Sequence, residues 1–175
     1  LPDHAFEGLV FLTHFYFPTQ LKAVGDFAFA NCNALLNIEL PQSLESIGEQ
    51  AFANLHLRTL NLPAGVRHIG EGALSGMKEL TELHIGEGNA RYEERDGLLF
   101  DKENSTLLQC FNFRKGEVNV PQGTLAIGAL AFSKAQEVTQ VNIPASVTRI
   151  GHDAFASTYS LVRIEVATDN AHYAS

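Results

Sequence analysis

A short motif recurs along the chain and limits the folds that it can adopt. It consists of Val or Ile, then Gly, two variable residues, Ala and usually Phe, and its five copies begin at residues 24, 47, 69, 127 and 150. Apart from the longer interval between the third and fourth copies, the spacing of the copies is constant to within one residue. A constant period in the low twenties is typical of solenoids, in which each repeat forms one turn and stacks on the next.

A second motif follows each Ala-Phe pair and predicts a short strand. Its pattern is apolar-x-x-apolar-x-apolar, often followed by Pro, so that the last two apolar side chains point to the same side. We expect successive strands to pair in one parallel sheet over the core, the motif Gly to permit a tight turn, and the Ala-Phe segment to form a short helical turn. The predicted strand segments are 12–17, 35–40, 57–62, 80–85, 115–120, 138–143 and 161–166.

The long interval between the motif glycines Gly70 and Gly128 predicts an insertion. It exceeds two repeat periods by about half a period, and the excess lies near 88–113, where two apolar runs flank a polar turn. This pattern predicts a β-hairpin that protrudes from the stack. Its aromatic residues, Tyr92 and Phe100, either pack on the solenoid or form an exposed recognition patch, and the sequence leaves both interpretations open.

The segment 169–173 repeats the pattern of 88–92, and the chain stops where a second hairpin would begin. We therefore expect residues 1–175 to be one solenoid fragment of about seven units that was cut from a longer repeat array at both ends.

Composition excludes several classes of function. The net charge is −8 and the basic residues are not clustered, which disfavours nucleic acid as a partner. No apolar run reaches the roughly 18–20 residues that span a bilayer, so we predict no transmembrane segment. Two cysteines are too few for a disulfide framework, and Cys32 falls in a mostly apolar column of the repeat, where we expect it to be a small buried hydrophobe.

The chain also lacks the patterns of catalytic and metal sites. Its seven histidines form no His-x-x-x-His pair and do not flank a cysteine at ligand spacing. The acidic segment 101–105 lacks the spaced ligands of a calcium loop and is predicted to be a hairpin turn. There is no Gly-x-Ser-x-Gly motif. We therefore predict no catalytic residue, no metal and no cofactor.

The outward-facing strand positions predict the surface with the best chance of binding a ligand, which we call the strand face. Its amides, carboxylates and imidazoles could hydrogen-bond to a protein or a glycan, or could serve solubility alone. One column of the strand face contains Tyr16, Glu39, Asn61, His84, Asn119, Asn142 and Glu165, all of which we predict to bind a ligand. In the neighbouring column we predict the same for His14, Glu82, Glu117 and Arg163, while Asn37, Thr59 and Gln140 complete that column.

Three linked motifs resemble those of BspA-type leucine-rich repeat proteins over essentially the whole chain. They are Ile-Gly-x-x-Ala-Phe (47–52), Leu-x-x-Ile-x-Leu-Pro (35–41) and Asn-x-x-Tyr followed by Asp-Gly-Leu-Leu-Phe (89–100). The resemblance implies a right-handed α/β-type leucine-rich repeat solenoid of about 23-residue units with a concave strand face. It supplies no active-site residues, because the family carries no catalytic motif.

The same resemblance gives the functional expectation. Members of the family are mostly exported or surface-displayed proteins of host-associated bacteria, notably Bacteroidetes, and several are implicated in attachment to host extracellular matrix or to other microbes. We therefore expect a non-enzymatic module, on a cell surface or secreted, that binds a host matrix protein or a microbial surface protein. A structural spacer and a glycan-binding module are the alternatives. Tyr16 is the only aromatic residue in the two columns apart from histidines, which disfavours glycan binding.

Overall fold

The computed structural model describes residues 1–173, which form a solenoid of about six turns with a repeat of about 23 residues. Residues 174 and 175, the last two of the predicted repeat region, lie outside this description. Residues 1–173 contain thirteen strands and no helix. The strands are β1 (Ala23–Val24), β2 (Ser46–Ile47), β3 (Thr59–Leu62), β4 (His68–Ile69), β5 (Glu82–Ile85), β6 (Tyr92–Arg95), β7 (Leu98–Asp101), β8 (Thr106–Cys110), β9 (Gly116–Asn119), β10 (Ala126–Ile127), β11 (Val138–Ile143), β12 (Arg149–Ile150) and β13 (Arg163–Val166).

The strands form two sheets on each side of the solenoid, whereas the sequence predicts one continuous sheet. On the strand face, β3 pairs with β5, and β9, β11 and β13 form a second parallel sheet. On the other side, here called the turn side, β1, β2 and β4 form one parallel sheet, and β8, β10 and β12 form the parallel part of a second, five-stranded sheet. Among the described residues, the segments 12–17 and 35–40 belong to no sheet, so the first two predicted strands do not form.

The predicted core columns are confirmed through most of the chain, but Ile164 in β13, a predicted core position, is 43% exposed. Leu44 and Ile47 on the turn side and Leu60 on the strand face are fully buried between the two sides. The repeat phenylalanines Phe29 and Phe52 are also fully buried, and their rings stack with centroids 5.7 Å apart. Each such ring removes apolar surface from water and fills the space between two units.

Both cysteines are buried thiols, as predicted for Cys32. Burial raises the pKa of the Cys32 thiol, and it raises the pKa of Cys110 to about 12. At neutral pH both side chains therefore remain uncharged members of the core.

The predicted helical turn after the motif Gly is wrong. The backbone N–H groups of Phe27, Phe29 and Asn31 donate to carbonyl groups of the next unit over 2.7–2.9 Å, and not to a carbonyl four residues earlier. Only every second amide of this segment therefore donates to the next unit. This alternation arises because the second variable residue of each motif has a positive φ, between 47° and 61°, in the left-handed region. The residues at this position are Phe27, Gln50, Gly72, Leu130 and Asp153.

The motif glycines serve the close approach of stacked units and not the tight turn that the sequence suggests. A Cβ on Gly48 would lie 2.6 Å from the backbone nitrogen of Asp26, and a Cβ on Gly70 would lie 2.5 Å from that of Glu49. Any larger residue would push adjacent turns apart, and the ladder of backbone hydrogen bonds between turns would open.

The predicted hairpin is present and is extended by a third strand. β6 and β7 pair in antiparallel fashion, and β7 pairs in the same way with β8. The insertion does not protrude, because β8 takes the turn-side position of its own turn and pairs in parallel with β10. Tyr92 and Phe100 are 3% and 7% exposed, so they pack on the solenoid and do not form an exposed patch.

Candidate ligand-binding face

Most strands of the strand face alternate between buried and exposed residues, but β13 does not, because Ile164 is exposed there. In β3, Leu60 and Leu62 are buried while Thr59 and Asn61 are exposed, which is the period-two pattern of a strand with one solvated side. Of the eleven side chains predicted to bind a ligand, ten are exposed and Asn142 is partly buried. They are divided among three places and do not form one continuous ladder.

The largest group lies on β9, β11 and β13. The Asn142 Nδ2 group donates to Glu117 Oε1 over 2.6 Å and to Asn119 Oδ1 over 2.7 Å. The Asn142 Oδ1 atom accepts a 2.8 Å bond from Gln140 Nε2, and Arg163 pairs with Glu165 over 2.8 Å. These links fix the side chains in place, so a ligand would meet a surface that is already ordered.

The second group lies on β3 and β5, where Asn61 is aligned with His84 and Thr59 with Glu82. The His84 Nε2 atom lies 3.4 Å from Glu82 Oε2. Within residues 1–173, β5 does not pair with β9, and the insertion separates the two strands in sequence. The break between the two sheets therefore divides the predicted ladder between His84 and Asn119.

The third group lies at the unpaired segments 12–17 and 35–40, where a groove of about 310 Å³ runs along the strand face. Tyr16 is 88% exposed there. We call this site the Tyr16 groove, and its lining residues are His14, Phe15, Tyr16, Phe17, Asn37 and Glu39.

The charged residues of the strand face are mostly acidic. Four glutamates (Glu39, Glu82, Glu117 and Glu165) and one arginine (Arg163) give a formal charge of 1 − 4 = −3 with the histidines neutral. This agrees in sign with the whole chain, whose net charge is −8. The surface would therefore attract a cationic partner more readily than an anionic one.

A cavity of about 410 Å³ on the turn side was missed by the sequence analysis. It lies where the insertion meets the two halves of the solenoid, and its lining includes Asp101, Gln109 and Arg149. Glu71 and His152 also line it, with 3.1 Å between Glu71 Oε2 and His152 Nε2. These two residues have the same separation along the chain as the similar segments 88–92 and 169–173. That shared separation was the one feature of the sequence that could have indicated the cavity.

Asp101 has a structural part in this cavity wall. Its Oδ2 atom accepts bonds from Arg91 Nη2 (2.9 Å) and Asn104 Nδ2 (2.8 Å), while Oδ1 accepts from the Glu103 amide (3.0 Å). Burial alone would raise the pKa of Asp101, but the bonds from Arg91 and Asn104 outweigh it and lower that pKa. The segment 101–105 is thus a hydrogen-bonded turn, and no group of three His, Cys, Asp or Glu side chains within residues 1–173 is placed to hold a metal ion.

The repeats, the insertion and the buried columns agree with one family. The sequence profile of the BspA type leucine-rich repeat region matches residues 1–96 and 103–174, in six copies. The chain belongs to the BspA-type leucine-rich repeat family. This family and its fold are typically non-enzymatic. No curated protein matches this BspA-type chain significantly.

Solved structures of bacterial proteins resemble this BspA-type solenoid. A leucine-rich cell surface protein of Faecalibacterium prausnitzii is 28% identical with a TM-score of 0.79, and the similarity covers 87% of this chain and 41% of that one. The pneumococcal vaccine antigen PcpA is 27% identical with a TM-score of 0.79, over 87% of this chain and 38% of that one. The chain therefore spans about two fifths of the length of these two proteins.

A leucine-rich repeat protein of Eubacterium ventriosum shares the fold at 18% identity and a TM-score of 0.65, over 85% of this chain and 52% of that one. In the part of the BspA-type chain that the structure describes, no helix has the length and apolar character needed to cross a membrane.

Proposed function

We propose that this BspA-type repeat region is a non-enzymatic protein-binding module of a bacterial cell-surface or secreted protein, and that it attaches to a host matrix protein or to a microbial surface protein through the strand face. The proposal rests on one observation. Ten of the eleven polar side chains predicted to bind a ligand are exposed on the strand face, while most of the residues that alternate with them are buried. Solenoids use extended surfaces of this kind to contact other proteins.

The order of the strand face supports the proposal in energetic terms. Each immobilised flexible side chain costs roughly 0.5–1.5 kcal/mol on binding. In the β9–β11–β13 sheet, Asn142 already holds Glu117 and Asn119, and Arg163 already holds Glu165, so part of that cost falls on folding and not on binding. The sheet that carries these side chains pairs β11 with a neighbouring strand on each side.

The similar structures support the proposed location. The similar protein of Faecalibacterium prausnitzii is named as a cell surface protein, and PcpA is named as a pneumococcal vaccine antigen. Since this chain corresponds to about two fifths of each, the activities and partners of the whole protein are part of the proposal.

Charge reversal on the strand face tests the proposal. The purified chain is passed over immobilised fibronectin, fibrinogen and other matrix and plasma glycoproteins in biolayer interferometry, beside the variant Glu82→Lys/Glu117→Lys. The matched control is Glu79→Lys/Glu87→Lys, which makes the same change in net charge at exposed positions outside the two strand-face columns. Circular dichroism establishes that all three proteins are folded.

Saturable binding that the strand-face variant loses and the control keeps is the expected result. Binding that survives in both variants would move the contact away from β5 and β9. Absence of saturable binding by the folded chain to every immobilised protein would overturn the adhesion proposal in favour of a structural spacer. Periodate treatment of the immobilised glycoproteins separates a protein contact, which survives the treatment, from a glycan contact.

A further inference from the structure

The Tyr16 groove differs from the rest of the strand face in its backbone. Among the described residues, no backbone hydrogen bond joins the segments 13–17 and 36–40 to each other, and none joins 36–40 to β3. In the later units the same positions form ladders, as in the four-residue register between β3 and β5. Neither segment contains proline, so every residue carries an amide donor.

The separation is confined to the strand face. On the turn side, the same two units are joined by bonds from His4, Phe6 and Gly8 to carbonyl groups of the next unit, over 2.7–2.8 Å. The first two turns are therefore stacked on the turn side and unpaired at their strand-face segments.

Aromatic side chains form the core beneath the first of the two segments. The two core positions of the first segment hold Phe15 and Phe17, where later units hold Leu, Ile or Val. Phe15 and Phe17 each pack on Phe29, with ring centroids 4.8 Å and 5.4 Å apart. Rings are wider than aliphatic side chains, and we attribute the missing pairing between 13–17 and 36–40 to their packing.

The groove thus combines three features that suit one kind of occupant. Its walls carry unpaired backbone donors and acceptors, which an extended peptide can satisfy as an added strand would. Tyr16 presents an almost fully exposed ring, and a ring face attracts a cation. Glu39, exposed in the same groove, adds a carboxylate that can pair with that cation.

We propose that the Tyr16 groove binds an extended, cationic segment of the partner protein, with its backbone paired to the segments 13–17 and 36–40 and a Lys or Arg side chain between Tyr16 and Glu39. This inference rests on the proposed function and names the part of the partner that the strand face recognises. The net negative charge of the chain also favours a positively charged partner.

The test uses three arrays of seven-residue peptides that are random except at the central position, which is Lys, Glu or the uncharged norleucine. Binders from the Lys array should bind at least about tenfold more tightly than their Glu-centred counterparts, and N-methylation of alternate peptide amides should weaken them by a similar factor. Hydrogen exchange of the protein should slow at the amides of 13–17 and 36–40 when such a peptide is bound.

Variants locate the contact. Tyr16→Ser and Glu39→Gln should each weaken the Lys-centred peptides at least about threefold, since each removes one partner of the cation. The matched controls are Tyr159→Ser, which removes a tyrosine that is 80% exposed elsewhere, and Glu87→Gln, which removes an exposed carboxylate outside the groove. Both controls should leave the affinity unchanged.

The proposal is overturned if no Lys-centred peptide binds saturably, if Glu-centred peptides bind equally well, or if Tyr16→Ser and Glu39→Gln both retain full affinity. Tyr16 and Glu39 are exposed, so the loss of either side chain leaves the core intact, and circular dichroism verifies this. If the variant Glu82→Lys/Glu117→Lys no longer binds a partner protein that Tyr16→Ser still binds, the groove proposal alone is overturned and the proposed function stands.

Discussion

Asn89 and Asn170, which occupy equivalent positions in the two halves of the chain, make closely matching sets of hydrogen bonds that differ by one residue in one carbonyl acceptor. Each donates from Nδ2 to two carbonyl groups of the preceding unit, over 2.9–3.2 Å. Each accepts at Oδ1 from the backbone amides two and three residues ahead, over 2.8–2.9 Å. The parallel turn-side strands form two groups of three, β1, β2 and β4 and then β8, β10 and β12. The side chain of one buried asparagine follows the last strand of each group and bonds to the preceding unit.

The first prediction concerns Asn89. Asn89→Ala leaves the carbonyl groups of Ala64 and Val66 and the amides of Arg91 and Tyr92 without their partner. We expect a loss of about 1–3 kcal/mol in the free energy of unfolding, because buried polar groups without a partner retain their full desolvation cost. Urea denaturation measures it. The control, Asn61→Ala, removes an exposed amide and should change stability by less than about 0.5 kcal/mol.

The second prediction concerns the phenylalanines between turns. Phe52→Ala or Phe132→Ala should each cost roughly 3–5 kcal/mol, because both rings are fully buried and their loss leaves a cavity. Neither ring reaches the strand face, so any residual folded protein should bind its partner as before. Phe11→Ala is the matched control, since Phe11 is 91% exposed. A thermal midpoint that is unchanged in both core variants would contradict the assignment of these rings to the core.

The third prediction concerns the left-handed position of the motif. Gly72 has a φ of +61°, and a Cβ there would lie 2.5 Å from Leu130 Cδ1. Gly72→Ala should therefore destabilise the protein by about 1–3 kcal/mol through backbone strain and overpacking. The opposite change, Gln50→Gly, relieves a φ of 47° and should raise stability by less than about 1 kcal/mol. Equal effects of the same sign in the two denaturation curves would contradict the conformational explanation.

The fourth prediction concerns pH and the contact between the two halves. Hydrogen bonds to Glu71, which has the larger effect, and to Asp153 raise the pKa of His152 above its ordinary value. A raised pKa in the folded state means that the stabilisation is fully present below the unfolded-state pKa and is lost as the pH rises through the folded-state value. The thermal midpoint of the protein should therefore fall more between pH 6 and pH 8 than that of His152→Gln. Parallel pH dependences of the two midpoints would show that the contact contributes nothing to stability.

The periodic part of the fold could be predicted from the sequence because it depends on side-chain spacing. The alternation around Leu60 and Leu62, the burial of Phe52 and the place of the insertion all follow from spacings within one or two units. The backbone between the motif Gly and the Phe could not be predicted in this way. A run such as Asp26-Phe27-Ala28 is compatible with a helical turn, and only the neighbouring unit, which accepts the alternate amides, imposes the left-handed residue.

The candidate site was predictable residue by residue but not as a whole. Exposure of Glu39, Asn61 or Arg163 follows from the strand period alone. The division of the strand face depends on the missing pairing of the segments 13–17 and 36–40, and on the lack of pairing between β5 and β9 among the described strands. These are properties of packing between units, and the spacing of residues within one unit does not contain them.

The hydrogen bonds between turns all run along the axis of the solenoid, and this direction has a mechanical consequence. Tension applied at the two ends of the chain would load the few bonds between the outermost pair of turns first, so the structure would unzip one turn after another. Each turn of about 23 residues would release roughly 75 Å of extended chain in place of about 5 Å of stacked length. The repeat region would thus behave under load as a series of small extensible elements.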